Sequence, residues 1–297
     1  MKIASLKSHF FSELQTIQEA SEIESFFFIL TEYLHHLKRI DISLNPDFEV
    51  SETDLEKWNT IISELKTEKP IQYITGEAWF YGYRFEVNEN TLIPRPETEE
   101  LVEWIVESTK LEAGSKKLNI LDIGTGSGCI PITLKKEIYN TNVFSVDVSE
   151  RALEMAYKNS INNLAGVWFC HQNILELDNL KNLPLTLYFS AKPPSLFDII
   201  VSNPPYVRNL EKQEIKKNVL EYEPHLALFV EDSDALLFYR KIAELALTGL
   251  SPNGKLFFEI NQYLGKETVV LLENLGFKNI ELRKDFVGND RMISCSL

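Results

Sequence analysis

The motif Asn203-Pro204-Pro205-Tyr206 offers the most specific chemistry in the sequence. It follows the apolar segment 197–202, which is typical of a buried strand. Two prolines fix the backbone after that strand and remove two N–H donors, so the main-chain carbonyls of the turn stay free to accept hydrogen bonds from a ligand. The side chain of Asn203 adds a second carbonyl acceptor, and the ring of Tyr206 is suited to stacking on a flat amide or base. Two neighbouring acceptors predict a site for a planar NH₂ group. The alternative is a proline turn with a structural tyrosine.

A glycine-rich loop follows an earlier apolar segment, 118–123, and consists of Gly124, Thr125, Gly126, Ser127 and Gly128. Glycine permits a tight turn and lets a ligand approach the backbone closely. The spacing G-x-G-x-G differs from the dinucleotide fingerprint G-x-G-x-x-G, which needs a glycine where Cys129 stands. The loop therefore predicts a site for a nucleoside without a pyrophosphate. A plain tight turn in an α/β protein has the same pattern.

Asp147 ends the next apolar segment, about 20 residues beyond the glycine-rich loop. A carboxylate at this position can accept hydrogen bonds from ribose hydroxyls. The alternative is a capping role for the helix that starts at Ser149 and Glu150. In combination with the glycine-rich loop, the position favours ribose binding.

The elements that must position these motifs alternate between short apolar segments and helical patterns. We predict strands at 118–123, 143–147, 167–171, 197–202, 255–260, 279–284 and 292–296, and helices at 130–137, 150–163, 235–247 and 265–275. Such alternation is typical of an α/β fold, with a mostly parallel sheet covered on both faces. Ligands of these sheets bind beyond the carboxyl ends of the strands, where the three motifs would meet.

The first part of the chain has the spacing of helices instead. Apolar residues recur at helical intervals over 23–37 and again over 51–66, and Ser21 to Glu24 has the pattern of a capping box. Aromatic and β-branched residues around Gly82 predict a hairpin within 77–87. We therefore predict a helical substrate-recognition domain (1–75), a β-hairpin linker (76–92) and a catalytic α/β domain (93–297).

The composition limits the partners. The chain has 297 residues, 44 of them acidic and 30 basic, and its net charge of −14 would repel a polyanion such as duplex nucleic acid. No apolar run approaches the ~20 residues needed to cross a bilayer, and the N-terminus lacks the pattern of a signal peptide. Three widely spaced cysteines predict reduced thiols in a cytoplasmic protein and no metal site.

These motifs, in this order, resemble those of the class I methyltransferases. Further segments are similar to the release factor glutamine methyltransferases, the PrmC/HemK family. The similarity covers roughly residues 40–297 and is carried by segments 70–77, 80–82, 92–99, 203–206, 223–224, 252–254 and 288–291. Ile-Pro-Arg-Pro-Glu-Thr-Glu at 93–99 is the most family-specific of them. The Asn-Pro-Pro-Tyr motif alone is shared with DNA adenine and ribosomal RNA methyltransferases.

The resemblance implies a seven-stranded Rossmann-like sheet and a defined reaction. S-adenosylmethionine would donate its methyl group to the amide nitrogen of the glutamine in a Gly-Gly-Gln motif of peptide-chain release factors, leaving S-adenosylhomocysteine. The residues 124–128 would line the methionine part of the cofactor, Asp147 would hold the ribose, and Asn173 and Ile174 would lie at the adenine. The substrate glutamine would be bound by Asn203, Pro204, Pro205 and Tyr206; of these, Asn203, Pro204 and Tyr206 would carry catalysis, and Asn203 would also face the cofactor.

Two features depart from the family pattern. Family members often carry an acid and an aromatic residue at the adenine positions. Asn173 therefore keeps a hydrogen-bonding group there, whereas Ile174 offers no stacking surface. The connection from Leu177 to Pro194 is also longer than usual.

Two other functions stay open at this point. An amino methyltransferase acting on adenine or guanine would use the same acceptors, although the acidic charge weighs against it. A non-catalytic cofactor-binding assembly factor would not need the acceptors. We expect a monomer that works on release factors, without a stable nucleic-acid partner and away from membranes.

Overall fold

The computed structural model describes residues 1–110 and 117–297. Helices form the beginning of the chain, and strands alternate with helices from residue 118 onward. The helices are α1 (Ile3–Leu14), α2 (Ala20–His35), α3 (Arg39–Leu44), α4 (Glu52–Lys66), α5 (Ile71–Thr75), α6 (Pro96–Lys110), α7 (Cys129–Glu137), α8 (Glu150–Asn162), α9 (Lys217–Tyr222), α10 (Leu237–Gly249) and α11 (Gly265–Asn274). The strands are β1 (Glu77–Phe80), β2 (Tyr83–Glu86), β3 (Leu118–Ile123), β4 (Thr141–Asp147), β5 (Val167–His171), β6 (Phe197–Ser202), β7 (Val207–Arg208), β8 (Phe229–Val230), β9 (Leu250–Glu259), β10 (Lys278–Lys284) and β11 (Asp290–Ser296).

Two units can be distinguished in this chain. The first comprises Met1–Glu77 together with Lys216–Tyr222, and the second comprises Ala78–Ile215 and Glu223–Leu297. The catalytic domain predicted from the sequence, 93–297, includes 216–222, because the local pattern of this segment shows no sign of a distant contact. In the structure, the Tyr222 hydroxyl donates to the carbonyl oxygen of Thr67 over 3.1 Å. The predicted domain boundaries as such stay a prediction.

The helical unit has a core of its own. The ring of Trp58 is fully buried and lies edge-on to Phe10 and tilted against Phe27, at centroid distances of 5.5 and 5.4 Å. Its indole N–H donates to Nε2 of His35 over 3.0 Å. Burial of one such large apolar side chain stabilises the folded state by about 1.5–3 kcal/mol. The helical spacing of apolar residues thus produces an independent core.

The start of α2 differs from its prediction. The helix begins at Ala20 after Glu19, and no side chain caps it, so the capping-box prediction at Ser21 was wrong. Ser21 already lies inside the helix, where its carbonyl accepts from the Ser25 hydroxyl over 2.9 Å. By contrast, Ser51 caps α4 by accepting from a main-chain N–H over 3.1 Å.

The central sheet has the strand order β10-β11-β9-β6-β3-β4-β5. All of these strands run in one direction except β11, which is antiparallel to both of its neighbours. The prediction of a seven-stranded, mostly parallel α/β sheet is therefore confirmed. Strands β3, β5 and β6 have their predicted bounds. Strand β9 begins five residues earlier than predicted, because Leu250 pairs with Phe197 ahead of an irregularity in the register.

Alternate residues of the sheet enter two separate apolar layers. Leu121 and Ile123 of β3 belong to one layer with residues of α10 and α11, whereas Ile120 belongs to the other with residues of α6, α7 and α8. This follows from the two-residue period of a strand. Both faces are covered, so the strands are apolar almost throughout.

A hairpin precedes the sheet, as predicted around Gly82. Strands β1 and β2 are joined by Tyr81 and Gly82, which have φ angles of 52° and 76°. Two consecutive left-handed residues form the type I′ turn that suits the twist of a hairpin, and glycine adopts this conformation at little cost. Tyr81 is held there because its N–H donates to Glu99 over 2.8 Å.

Strand β3 leads on to β4 on one side of it, and the adjacent β6 leads on to β9 on the other, so the connections that leave these two neighbours run to opposite sides. This is the topological switch point of the sheet, where a crevice opens beyond the carboxyl ends of the strands. Within the described ranges, no helix combines the length and apolar character needed to span a bilayer.

Candidate active site

A cavity of about 350 Å³ lies beyond the carboxyl ends of β3, β4, β5 and β6. Its size suits a small organic ligand. Loops 89–98 and 224–227 and two residues of α10 complete its wall. The predicted site residues that line it are Gly124, Thr125, Gly126, Ser127, Asp147, Asn173, Ile174, Asn203, Pro204 and Pro205. Gly128 and Tyr206 are not part of the wall.

Gly128 lies between two helices instead. A Cβ atom added there would come within 2.9 Å of Ile132 Cδ1 and 3.1 Å of Ala156 Cβ. The glycine therefore allows the start of α7 to pack closely against α8. Its role in this geometry is to position the loop, while Gly124 to Ser127 face the cavity.

Asp147 joins two loops at the cavity. One carboxylate oxygen accepts from the N–H of Gly126 over 2.9 Å, and the other accepts from the N–H of Ser149 over 2.8 Å. The cap of α8 is Ser149, whose hydroxyl accepts from Ala152 over 3.2 Å, so Asp147 is not the helix cap. Burial raises the pKa of Asp147, and the main-chain N–H groups of Gly126, Ser149 and Val148 counteract this shift.

Asn173 and Ile174 lie on the opposite wall, after β5. The side-chain oxygen of Asn173 accepts from the N–H of Leu175 over 3.1 Å, and its amide donates to Glu176 over 2.9 Å. Asn173 thus caps the short turn 174–176, and Ile174 offers a mostly buried aliphatic surface.

The Asn-Pro-Pro-Tyr turn is anchored from several sides. The Ser202 hydroxyl donates to the carbonyl of Ile123 over 2.6 Å, and the Asn261 amide donates to the carbonyl of Tyr206 over 2.9 Å. No residue that the structure describes donates to Oδ1 of Asn203 or to the carbonyl oxygen of Pro204. We call these two oxygens the acceptor pair.

The Tyr206 side chain has a partner of its own. Its hydroxyl donates to Oε1 of Glu259 over 3.0 Å, and its ring packs against the apolar layer that contains α10. Burial and the neighbouring carboxylate raise the pKa of Tyr206, so the phenol stays protonated. The predicted stacking of this ring on a substrate stays a prediction.

Sequence reasoning missed several polar residues at this site. Asp122 is completely buried beneath the glycine-rich loop, where Oδ2 accepts from Ser145 over 2.5 Å and Oδ1 has no described partner. Burial raises the pKa of Asp122 to about 7. An acid at the end of an apolar strand was the available signal for both Asp122 and Glu259.

An ion pair connects two loops of the wall. Nη2 of Arg95 lies 2.5 Å from Oε1 of the buried Glu223, and the N–H of Ile93 donates to the same carboxylate over 3.3 Å. Both loops belong to segments that the resemblance had singled out. No local sequence pattern indicates that the two segments meet.

Comparisons with known proteins identify relatives of this chain. A family model described as "Methyltransferase domain" matches residues 114–259, and one described as "PrmC N-terminal domain" matches residues 7–76. The chain is 57% identical to the release factor glutamine methyltransferase of Flavobacterium psychrophilum, over 99% of this chain and 98% of that one. It is 40% identical to the protein of the same name in Bacteroides thetaiotaomicron, over 95% and 96% of the two chains.

A solved structure shows the same fold at much lower identity. The hMettl16 catalytic domain, in complex with the MAT2A 3′UTR hairpin 6, has a TM-score of 0.53 and 14% identity. The similarity covers 73% of this chain and 76% of that one.

Proposed function

The chain belongs to the release factor glutamine methyltransferases, and on that premise we propose how its residues carry out the reaction. The protein transfers the methyl group of S-adenosylmethionine to the side-chain amide nitrogen of a glutamine in peptide-chain release factors, in their Gly-Gly-Gln motif. The observation that carries the assignment is the acceptor pair, which opens on the same cavity as the glycine-rich loop and Asp147.

The cavity fits the cofactor. A Cβ atom added at Gly126 would meet no atom within 4 Å, so glycine leaves room there for a ligand. We assign Gly124 to Ser127 to the methionine part, Asp147 to the ribose hydroxyls, and Asn173 and Ile174 to the adenine. Because the Asn173 side chain already bonds within its own turn, shape and apolar contact would contribute most at the adenine.

The acceptor pair binds and orients the amide of the substrate glutamine. The amide nitrogen of glutamine is a poor nucleophile because its lone pair is delocalised into the carbonyl. S-adenosylmethionine, when bound, supplies a methyl group that is already activated by the sulfonium. Oδ1 of Asn203 and the Pro204 carbonyl accept the two N–H hydrogens, aim the nitrogen and stabilise the positive charge that develops on it. The excess proton leaves after transfer.

We assign recognition of the release factor to the helical unit. Helix α3 has no buried residue, and its apolar Ile40 and Leu44 are 61% and 77% exposed, one helical turn apart. We propose this exposed apolar pair as a contact for the protein substrate. We further propose that the protein acts as a monomer in the cytoplasm, where its free thiols Cys129, Cys170 and Cys295 would stay reduced.

Methyl transfer to a nucleic-acid base is the competing function, because a base amino group also offers two N–H hydrogens. The net charge of −14 disfavours it, because binding to nucleic acid depends on neutralising phosphates. The assembly-factor alternative has no use for two unpaired acceptors at a cofactor cavity.

Labelled S-adenosylmethionine separates these functions. The protein should label a purified release factor, but neither the same factor with its Gly-Gly-Gln glutamine changed to alanine nor single-stranded or duplex nucleic acid. Label in nucleic acid alone would establish the competing enzyme. Cofactor binding without transfer to any of them would leave a binding protein.

A further inference from the structure

A chain of hydrogen bonds leads from Asn203 into the buried sheet. The Asn203 amide nitrogen donates to Oγ1 of Thr98 over 3.3 Å, and the Thr98 hydroxyl donates to Oε2 of Glu259 over 2.6 Å. Thr98 and Glu259 are 2% and 1% exposed. Glu259 ends β9, and Thr98 lies in the first turn of α6.

The direction of these hydrogen bonds determines which way the Asn203 amide faces. A hydroxyl has a single hydrogen, and Thr98 gives it to Glu259. Oγ1 of Thr98 can then only accept, so the group that Asn203 turns toward it must be the NH₂. Oδ1 of Asn203 is left on the other side, as one member of the acceptor pair.

The other oxygen of Glu259 is also occupied. It accepts from the Tyr206 hydroxyl over 3.0 Å, so the carboxylate receives one hydroxyl on each oxygen. One buried carboxylate thus connects the two polar ends of the Asn-Pro-Pro-Tyr turn.

An asparagine amide has nearly the same shape when its oxygen and nitrogen exchange places. The exchanged rotamer would point an NH₂ group at the substrate's own NH₂ group, and two donors repel each other. Sterics alone would not prevent this exchange, whereas the Thr98 hydroxyl does.

We propose that Thr98 and Glu259 are positioning residues that hold the Asn203 amide with its oxygen toward the substrate. Neither needs to touch the reacting atoms. The inference rests on the proposed function of the acceptor pair, and its test therefore includes Asn203 itself.

The test is single-turnover methyl transfer to a purified release factor, together with calorimetric binding of S-adenosylmethionine. Thr98→Val keeps the shape and removes the hydroxyl, and it should lower the rate at saturating release factor by about tenfold or more while cofactor affinity changes less than about twofold. Thr98→Ser restores the hydroxyl and should recover most of that loss. Thr109→Val is the matched control, because Thr109 is buried in the same helix and its hydroxyl donates only to Val106, over 2.8 Å. It should transfer methyl at the wild-type rate.

A double variant distinguishes positioning from general damage to the fold. In an Asn203→Ala background there is no amide to orient, so Thr98→Val should cost almost nothing further. Glu259→Leu, which removes both acceptor oxygens, should show the same dependence on Asn203 and serves if Thr98→Val folds poorly.

Several outcomes would overturn the inference. They are a wild-type rate for Thr98→Val, a loss of equal size with and without Asn203, or a cofactor affinity that falls as much as the rate. Failure of the proposed function looks different, since Asn203→Ala itself would then retain full activity or the wild-type protein would not label the release factor.

Discussion

The main-chain N–H of Gly126 donates a 2.9 Å hydrogen bond to a carboxylate oxygen of Asp147. This bond joins the loop after β3 to the end of β4, two neighbouring strands whose carboxyl ends form the floor of the cavity. Asp147 therefore holds the glycine-rich loop in place, and in the proposed function it also accepts hydrogen bonds from the ribose.

Asp147→Ala should weaken S-adenosylmethionine binding by about 1–3 kcal/mol, because hydrogen bonds to a charged acceptor are lost. Calorimetry measures this directly. Asp178→Ala is the control, since it removes the same charge from an exposed position outside the cavity wall. An unchanged affinity for Asp147→Ala would remove the ribose assignment.

The pH dependence of stability should contain a contribution from Asp122. Burial raises the pKa of this carboxyl from 3.8 to about 7, so between these values the folded protein keeps a proton that the unfolded chain has lost. The free energy of unfolding should accordingly fall as pH rises through that window, by at most about 1.4 kcal/mol per pH unit from this group. Above the window the loss is complete.

Asp122→Asn cannot ionise and keeps an acceptor for Ser145, so it isolates this contribution. The free energy of unfolding of Asp122→Asn minus that of wild type should be larger at about pH 8 than at about pH 5. Denaturant unfolding without cofactor measures this difference. The other buried acids are present in both proteins and cancel in the difference. A difference that stays constant with pH would mean that Asp122 ionises normally in the folded state.

The structure explains which parts of the site were predictable. Local patterns placed the glycine-rich loop, Asp147 and Asn203 at the ends of strands, because an apolar run followed by a turn is visible within a dozen residues. The Thr98–Glu259 bond joins residues 161 positions apart, and the Arg95–Glu223 pair joins residues 128 apart. No single sequence contains a signal for contacts of that kind. The start of α2 was misplaced at Ser21, because the pattern alone does not say which residue is the last outside a helix.

The helical unit provides a prediction for substrate binding. Leu44→Glu and Ile40→Glu should each raise the KM for the release factor about tenfold, the effect of losing ~1.4 kcal/mol of contact energy, and leave kcat unchanged. Steady-state methylation at saturating cofactor measures both constants. Leu164→Glu is the matched control. Leu164 is 92% exposed on the loop that precedes β5, at the amino end of the strand, whereas the cavity lies at the carboxyl ends. Equal KM values for all three variants and wild type would place the docking surface elsewhere.

Asn203→Ala is the most direct test of the acceptor pair. It removes one of the two acceptors proposed for the substrate NH₂ group, and the charge that they would stabilise exists only in the transition state. Turnover should therefore fall by about a hundredfold or more, as it does in other enzymes that lose one preorganised polar group of the active site. Cofactor affinity should change much less, because the ribose and methionine assignments lie on other loops. Asn209→Ala, on the segment that follows the motif and outside the cavity wall, should behave as wild type.

Asn203→Asp examines the same position with charge. It keeps an acceptor of nearly the same shape, but it has no N–H to donate to Thr98, whose single hydroxyl hydrogen already goes to Glu259. The added negative charge near the sulfonium should maintain or tighten cofactor binding, while the loss of the Thr98 contact disturbs amide alignment. We expect a single-turnover rate between those of wild type and Asn203→Ala, with cofactor affinity at least equal to wild type. If Asn203→Ala transfers methyl at the wild-type rate, the motif is not the catalytic site. In that case the acceptor pair could not explain a lower rate for Asn203→Asp.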